Sequence, residues 1–355
     1  MIFFKHLSFL KEVLHHSITA FGGPQVAVSL MQHRFVEKRK DITTEELLEY
    51  NGFCQLLPGA SSTQTIVLVG YKIGGFPLAL LTLLVWGAPA ILLMTLFAIL
   101  YSQFAFGDVL QSFKLLQPMT IGFIVSATLF MYRKAINNPI TQWIFVVTAM
   151  LTFVGFKTPW TIPILIIGSG IATNFSSKRF PSKATSSISI KWLSLIVFVL
   201  FFLFAGFFSE QSTRHHWKHN KIYNLFEMNF RFGSLVFGGG DVLIPMMYEQ
   251  YVTRPQSNHI LESKRNVVHL TKEEFMTGSG LVRVVPGPIF SVSSFMGATA
   301  LKENGILQQI VGAIIAATGI FLPSFLIVLF FFPIWQHLKQ YAIIFRSLEG
   351  IYASI

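Results

Sequence analysis

Residues 76–101 form a stretch of 26 positions without Asp, Glu, Lys, Arg or His. An apolar helix of about 20 residues crosses a bilayer, and this stretch is longer. Only 12% of the chain is charged, against about 25% in soluble domains. The pattern predicts an all-α polytopic membrane protein. Further predicted spans lie at 113–132, 140–156, 159–175, 192–208 and 306–332.

A glycine-rich motif occurs twice inside apolar runs. Phe21-Gly22-Gly23-Pro24-Gln25 returns as Phe237-Gly238-Gly239-Gly240-Asp241. Adjacent glycines weaken a helix, and proline is well suited to the first position of a new one. Each run is therefore predicted to be a discontinuous helix whose second half begins at the Gly-Gly. The free N–H groups at such a start favour an anion.

Two further breaks contain a Pro-Gly pair, Pro58-Gly59 and Pro286-Gly287-Pro288. The helix before each begins with a threonine and two acidic residues, at 43–46 and 271–274, a pattern typical of a capped start. Four features occur in the same order in the first and the second part of the chain. They are the Phe-Gly-Gly motif, the acidic helix start, the Pro-Gly break and a later proline, at 89 and 323. The chain is therefore predicted to contain two homologous halves.

The predicted halves are residues 1–175 and 191–355, joined by a serine- and lysine-rich linker at 176–190. Interrupted segments at corresponding places in two halves are typical of transporters, and we expect inverted repeats. The basic residues after the first and third breaks cannot then both be cytoplasmic. Either some broken elements re-enter the membrane without crossing it, or the charge rule is diluted here.

These motifs together resemble the chromate ion transporter family in its two-domain, long-chain form. The matching positions are 21–24, 35–39, Gln55 with 57–59, 237–240 and 285–288. The resemblance covers nearly the whole chain. It implies a membrane transporter that moves chromate outward, with sulfate as a competing or look-alike substrate.

The chain departs from the family pattern at three places. Ala60 stands where the first half usually has its second proline, and Arg283 stands where a glutamine is common. Residues 349–355 resemble the entrance to one further span, so the second half is expected to lack its final span. These departures bear on the substrate more than on the fold.

A tetrahedral dianion needs donors on several sides, because desolvating it unpaired is costly. We expect it to lie between the four breaks, where helix starts present N–H groups. Serine and threonine hydroxyls after the Pro-Gly breaks can also donate, or can instead bond back to helix carbonyls. These hydroxyls belong to Ser61, Ser62, Thr63, Ser291, Ser293 and Ser294. The predicted substrate-binding residues are Phe21, Gly22, Gly23, Pro24, Gln25, Gln55, Pro58, Gly59, Ser61, Ser62, Gly238, Gly239, Gly240, Arg283, Pro286, Gly287 and Pro288.

Arg283 lies in an apolar run, where an arginine is costly and its planar fork matches two oxygens of an oxyanion. The alternative is a structural pair with Asp241 or Glu274. Asp241 is predicted either to couple protons or to be a first-turn acid. We favour a pair between Asp241 and Arg283 in the resting state, with the substrate competing for the arginine.

His15 and Arg231 occupy equivalent positions, six residues before each motif phenylalanine. Both are predicted to take part in proton coupling or charge pairing. The alternative is an ordinary pair with Glu12 or Glu227 at helical spacing. Histidine is the residue type that changes charge near neutral pH, so His15 and His16 are also considered as a proton relay. An adjacent pair of histidines is more often incidental than a relay.

The predicted function is export of chromate or a similar divalent oxyanion across the cell membrane, driven by the proton gradient or by anion exchange. The alternatives are uptake of sulfate or molybdate, or a non-transport membrane scaffold. No nucleophile with a base at recognised spacing indicates an enzyme, and neither a cofactor nor a metal site is expected. The net charge of +11 is assigned to lipid head groups and not to nucleic acid. A homodimer is one of the assemblies considered.

Overall fold

The computed structural model describes residues 6–103, 129, 132, 136, 139–155, 161–173, 192–215, 217, 220–236, 240–256 and 268–338. Throughout these ranges the regular secondary structure is helical, and no strand occurs in them. The predicted linker at 176–190, most of the predicted span at 113–132 and residues 349–355 lie outside the described residues. The all-α class predicted from the apolar stretches is confirmed.

Twelve α-helices make up the described part of the chain. In chain order they are α1 (Leu7–Thr19), α2 (Pro24–Met31), α3 (Thr44–Leu56), α4 (Ser61–Gln103), α5 (Pro139–Gly155), α6 (Thr161–Ala172), α7 (Trp192–Arg214), α8 (Asn220–Leu235), α9 (Gly240–Tyr248), α10 (Lys272–Leu281), α11 (Val292–Ala300) and α12 (Ile306–Leu338). Three of them are long and apolar enough to cross a membrane by length and composition: Ser61–Gln103, Trp192–Ser212 and Ile306–His337.

The chain reverses direction at both breaks of the first half. Hairpin 1 consists of α1 and α2, where α2 continues as a π-helical segment, Gln32–Lys38. Its two arms lie side by side, since the rings of Phe9 and Phe35 are 5.6 Å apart. Hairpin 2 consists of α3 and the first part of α4, residues 61–73. Lys72 Nζ reaches back to Glu46 Oε2 in the first turn of α3, at 2.6 Å.

The second half repeats this arrangement. Hairpin 3 consists of α8 and α9, and Asn229 Nδ2 on one arm donates to Tyr251 Oη beyond the end of the other, at 2.9 Å. Hairpin 4 consists of α10 and α11. Its arms are joined by an ion pair between Glu274 and Lys302, the equivalent of the pair in hairpin 2. We call the segment that connects the two arms of a hairpin its tip.

The arms of these hairpins are too short to cross a bilayer. At 1.5 Å per residue, the 13 residues of α1 extend about 20 Å, whereas the hydrocarbon core is about 30 Å thick. Arms of this length fit the alternative in which the broken elements re-enter the membrane, and that alternative stays a prediction.

Local details match between the halves. Thr43 with Glu46 and Thr271 with Glu274 both form complete capping boxes at the starts of α3 and α10, so both predicted helix starts are confirmed. A π-helical segment ends the returning arm of hairpin 1 and of hairpin 3, at Gln32–Lys38 and Glu249–Thr253. Wider π turns are rare and often lie at functional sites. The two halves therefore share both element order and local geometry.

Each half contributes its long helix to the other half's core. Ala90, Met94 and Ala98 of α4 are fully buried among second-half residues. Toward the far end of α12, Phe325, Phe332 and Trp335 are buried among first-half residues. Burial of apolar surface across the boundary stabilises the halves as one body.

Candidate functional site

The described residues at the four tips lie close together across the boundary between the halves. The backbone N–H of Gly59, in the tip of hairpin 2, donates to the carbonyl of Val236, where α8 ends, at 2.7 Å. The backbone N–H of Gly287, in the tip of hairpin 4, donates to the carbonyl of Ala20, where α1 ends, at 2.9 Å. Gly59 corresponds to Gly287 and Ala20 to Val236. The two hydrogen bonds are therefore equivalent, and each joins one half to the other.

Glycine is required at both donor positions. Gly59 has φ of 114° and Gly287 has φ of 113°, a region that side chains rarely adopt. A Cβ at Gly59 would collide with Ser324 Oγ of α12, and a Cβ at Gly287 would lie 2.9 Å from the Ala90 methyl of α4. The long helices thus pass directly against the tips, beside the prolines at 323 and 89.

Ile289 links three of the tips. It follows the tip of hairpin 4, and its side chain packs against the backbone of both Gly23 and Gly240. A Cβ at Gly23 would be 3.4 Å from Ile289 Cδ1, and one at Gly240 would be 2.6 Å from Ile289 Cγ2. The breaks predicted to surround a substrate are therefore neighbours.

The start of α2 is a helix start without a side-chain cap among the described residues. Gly23 is the N-cap with φ of 93°, and Pro24 occupies the first turn. The first-turn N–H groups of an uncapped helix carry partial positive charge, which favours an anion. Gln25, in this turn, is exposed.

Three hydroxyls after the tip of hairpin 4 have no hydrogen-bond partner. Ser291, Ser293 and Ser294 are fully buried, and their Oγ atoms are unpaired in the described part of the protein. Back-bonding, the alternative considered for them, is absent here. It does occur in hairpin 2, where Thr65 Oγ1 donates to the carbonyl of Ser61 at 2.8 Å. Buried polar atoms without partners require a physical explanation, such as a ligand or water.

The remaining predicted site residues differ in exposure. Arg283 is exposed in the turn after α10, and Glu274, one of its considered partners, pairs with Lys302. Asp241 is the second residue of α9, and its side chain lies outside the described atoms, so its predicted pair with Arg283 stays a prediction. Phe237, Gly238 and Gly239 also lie outside the described residues.

The other predicted site residues fall into three classes of exposure. The buried ones are Gly22, Gly59, Ser62, Gly240, Gly287 and Pro288; the half-buried ones are Gly23, Pro24, Gln55, Pro58, Ser61 and Pro286; and Phe21 is exposed.

His15 contacts a residue that the helical spacing did not indicate. Arg34, on the returning arm of hairpin 1, donates to Glu12 Oε1 at 2.6 Å, to His15 Nδ1 at 2.7 Å and to Thr19 Oγ1 at 3.0 Å. The pair of Glu12 with His15 is longer, at 3.7 Å. A contact between residues on two arms has no periodicity that sequence analysis could detect.

Arg231 lies in the equivalent cluster of hairpin 3. It is 3.6 Å from Glu227, and it donates to Gln250 at 3.4 Å, where Gln250 is the counterpart of Arg34. Arg254 also donates to Gln250, at 2.9 Å. Both clusters tie the two arms of a hairpin together, and Arg34 extends this link to the last residue of α1.

Within the described ranges, no group of three or more His, Cys, Asp or Glu side chains is arranged to hold a metal ion. The arrangement instead offers backbone N–H groups, hydroxyls and one exposed guanidinium. Such donors bind anions without covalent chemistry.

The fold combines long apolar helices with short hairpins whose tips lie close together. These features define the class of protein, an all-α membrane protein of two homologous halves. A family model described as Chromate transporter matches residues 7–174 and 223–355. The chain belongs to the chromate transporter family. Members of this family are transport proteins and not enzymes, which confirms both the resemblance and the expectation of a transporter.

Several curated proteins are similar over most of the chain. An uncharacterized transporter of Methanocaldococcus jannaschii is 25% identical, covering 98% of this chain and 80% of the relative. The chromate transport protein of Cupriavidus metallidurans is 22% identical, covering 94% and 76%. The chromate transport protein of Pseudomonas aeruginosa is 22% identical, covering 96% and 76%. No solved structure matches the chain.

Proposed function

We propose that the protein exports chromate, or a similar divalent oxyanion, across the cell membrane as a multi-pass transporter, and that the oxyanion binds between the four tips. The reciprocal hydrogen bonds from Gly59 and Gly287 carry this proposal. They join described residues at the ends of hairpins 2 and 3 and of hairpins 4 and 1. Two relatives named as chromate transport proteins support the choice of oxyanion.

The donors around the tips divide into three kinds. The first turn of α2 supplies backbone N–H groups, and Ser291, Ser293 and Ser294 supply hydroxyls. Arg283, exposed beside the tip of hairpin 4, supplies the compensating charge. An anion loses its hydrogen bonds to water when it enters the protein, and several such donors replace them. No residue forms a covalent bond with the substrate.

The two equivalent hydrogen bonds supply a route for alternating access. If the bond from Gly287 to Ala20 opens while that from Gly59 to Val236 stays closed, the site opens on one side only. The reverse combination opens it on the other side. The halves, proposed as residues 1–175 and 191–355, act as inverted repeats in this scheme.

The energy source is the proton gradient or exchange for another anion. The sequence contains no Gly-rich loop ending in Lys and Ser or Thr, which is the pattern that cradles nucleotide phosphates. Asp241, His15 and Arg231 stay candidates for proton coupling or charge pairing. Homodimer assembly is part of the proposal and is measured by light scattering of the detergent-solubilised protein.

The direct test compares chromate accumulation in cells with and without the protein. Export predicts lower cytosolic chromate and better growth on chromate when the protein is present. Equal accumulation and equal growth would overturn the assignment. Higher accumulation, with competition by sulfate or molybdate, would establish uptake instead.

Arg283→Ala separates transport from a scaffold role. We expect the variant to reach normal abundance in the membrane, because Arg283 is exposed, and to lose most of its chromate flux. A variant with reduced abundance and unchanged flux per molecule would favour the scaffold.

A further inference from the structure

His16 lies completely buried in α1, between two aromatic rings. Its imidazole stacks on the indole of Trp86 with centroids 4.9 Å apart and an interplanar angle of 19°. Phe35 meets the ring edge-on at 5.9 Å. The adjacent Ser17 Oγ donates to the Trp86 carbonyl at 2.6 Å, which fixes α1 against α4. The orientation of the imidazole is therefore set by three elements.

Neither ring nitrogen of His16 has a hydrogen-bond partner in the described part of the protein. An imidazole always carries at least one N–H, and in the neutral ring the other nitrogen accepts. A buried donor without a partner is costly, and native proteins contain few of them. The two nitrogens are thus available for a ligand that the closed tips exclude.

The second half shows that packing does not require a histidine here. The counterpart of His16 is Phe232, whose ring packs against Tyr251 at 6.5 Å, as His16 packs against Phe35. Phenylalanine therefore fills the corresponding position in the equivalent hairpin of the second half. The polar atoms of His16 have a role other than filling space.

His16 lies one turn before the joint between hairpins 1 and 4. Ala20, four residues later, accepts the N–H of Gly287, and a Cβ at Gly287 would lie 3.7 Å from Ser17. Other charged or titratable groups near the ring are Glu12 and His15 on α1 and Arg34 on the returning arm. From the long arm of α4, residues 76–103, no Asp, Glu, Lys, Arg or His faces it, because that stretch contains none.

We propose that His16 binds a proton together with the transported oxyanion. When the bond from Gly287 to Ala20 opens, water reaches the ring, one nitrogen takes up a proton from it, and the imidazolium donates an N–H to an oxyanion oxygen. The proton leaves with the anion. Because outward movement of a proton with the anion would oppose an inward proton gradient, this inference belongs to the anion-exchange form of the proposed function. It rests on that proposed function, and it makes His16 a group that couples protons to anion binding.

The test uses the purified full-length protein and chromate, with His16→Phe as the main variant because the second half already uses phenylalanine. Binding is followed by thermal stabilisation at pH 6 and pH 8, and proton uptake on adding chromate is followed in weak buffer. Chromate itself takes up protons in this range, so variants are compared at each pH. We expect His16→Phe to weaken chromate binding about tenfold at pH 6, because one hydrogen bond to a charged group is lost. The variant should also take up fewer protons on binding. At pH 8 we expect little effect on binding.

Two further variants make the result decisive. His16→Gln keeps a donor and an acceptor but cannot titrate, so it should also lose the pH-dependent difference, even if His16→Phe folds poorly. His33→Asn changes an exposed histidine that pairs with Glu37 and should behave as the wild type. Wild-type pH dependence and proton uptake in both His16 variants would overturn the inference. A wild-type protein that no oxyanion stabilises would overturn the proposed function itself.

Discussion

Ser324 Oγ accepts a hydrogen bond from the backbone N–H of Ala60 at 3.2 Å. The corresponding residues of the repeat, Ala90 and Pro288, have neither the hydroxyl nor the N–H. The departure of Ala60 from the family's proline is therefore compensated by a serine on α12. Gly59 and Gly287, the residues before Ala60 and Pro288, have nearly identical φ angles, so the backbone that leads into the two positions is alike in φ.

Ala60→Pro and Ser324→Ala are predicted to be coupled. Each single change leaves one polar group unpaired or crowded and should lower the melting temperature in detergent. The double variant reproduces the second-half arrangement, and we expect it to recover about 0.5–3 kcal/mol relative to the sum of the single effects. The wild type, the two single variants and the double variant are compared. If the loss of stability in the double variant equals the sum of the two single losses, the compensation is contradicted.

Gly59→Ala is predicted to reduce the amount of folded protein. The substitution forces a side chain into a left-handed φ, which costs about 1–3 kcal/mol, and places a methyl on Ser324. Gly168→Ala is the matched control, because a Cβ at Gly168 meets nothing within 4 Å. Fluorescence-detected size exclusion of the two variants gives the comparison. Equal yields would show that the tip of hairpin 2 tolerates a side chain.

The two equivalent lysine–glutamate pairs are predicted to contribute unequally. The side chain of Glu274 is 8% exposed and that of Glu46 is 31% exposed. Lys302→Met leaves a buried carboxylate without its cation and should destabilise by roughly 1.5–3 kcal/mol. Lys72→Met removes a solvated pair worth about 0–1 kcal/mol. The melting temperatures of the two variants are compared, and we expect that of Lys302→Met to be the lower. A larger fall in melting temperature for Lys72→Met would contradict the argument from burial.

Ser293→Ala is predicted to weaken chromate binding without lowering stability. The hydroxyl has no hydrogen-bond partner among the described residues, so its removal breaks no hydrogen bond there. In the bound state it should cost one hydrogen bond, about 0.5–1.5 kcal/mol. Ser212→Ala is the control, since that hydroxyl is buried in α7 and bonded to the Ser209 carbonyl. Unchanged chromate affinity in Ser293→Ala would exclude this hydroxyl from the site.

Local chemistry made part of this architecture predictable. Thr43 and Thr271 cap helices because their hydroxyls and the glutamates three residues on satisfy the first N–H groups, which depends on near neighbours alone. The break at Gly22-Gly23 and the two Pro-Gly breaks follow from backbone preferences in the same way. The ordered repetition of these signals was sufficient to indicate two halves.

The reversal of the chain at each break could not be predicted from such signals. A helix, a break and a second helix have one sequence pattern, whether the second helix continues or returns. What distinguishes them here are contacts between arms, such as Lys72 with Glu46 and Arg34 with Glu12. The burial of His16 beside an exposed His15 likewise depends on Trp86, a residue 70 positions away.

The two joints between the halves consist of main-chain atoms only. No substitution at Ala20 or Val236 can remove the acceptor, because every residue keeps its carbonyl oxygen. Side-chain substitutions at these buried positions therefore change packing without removing the hydrogen bond. Replacing the Gly59 or Gly287 amide by an ester, through chemical synthesis or ligation, removes one donor and leaves the sequence of side chains unchanged. The contribution of these two hydrogen bonds is thus separated from packing by backbone chemistry and not by ordinary mutagenesis.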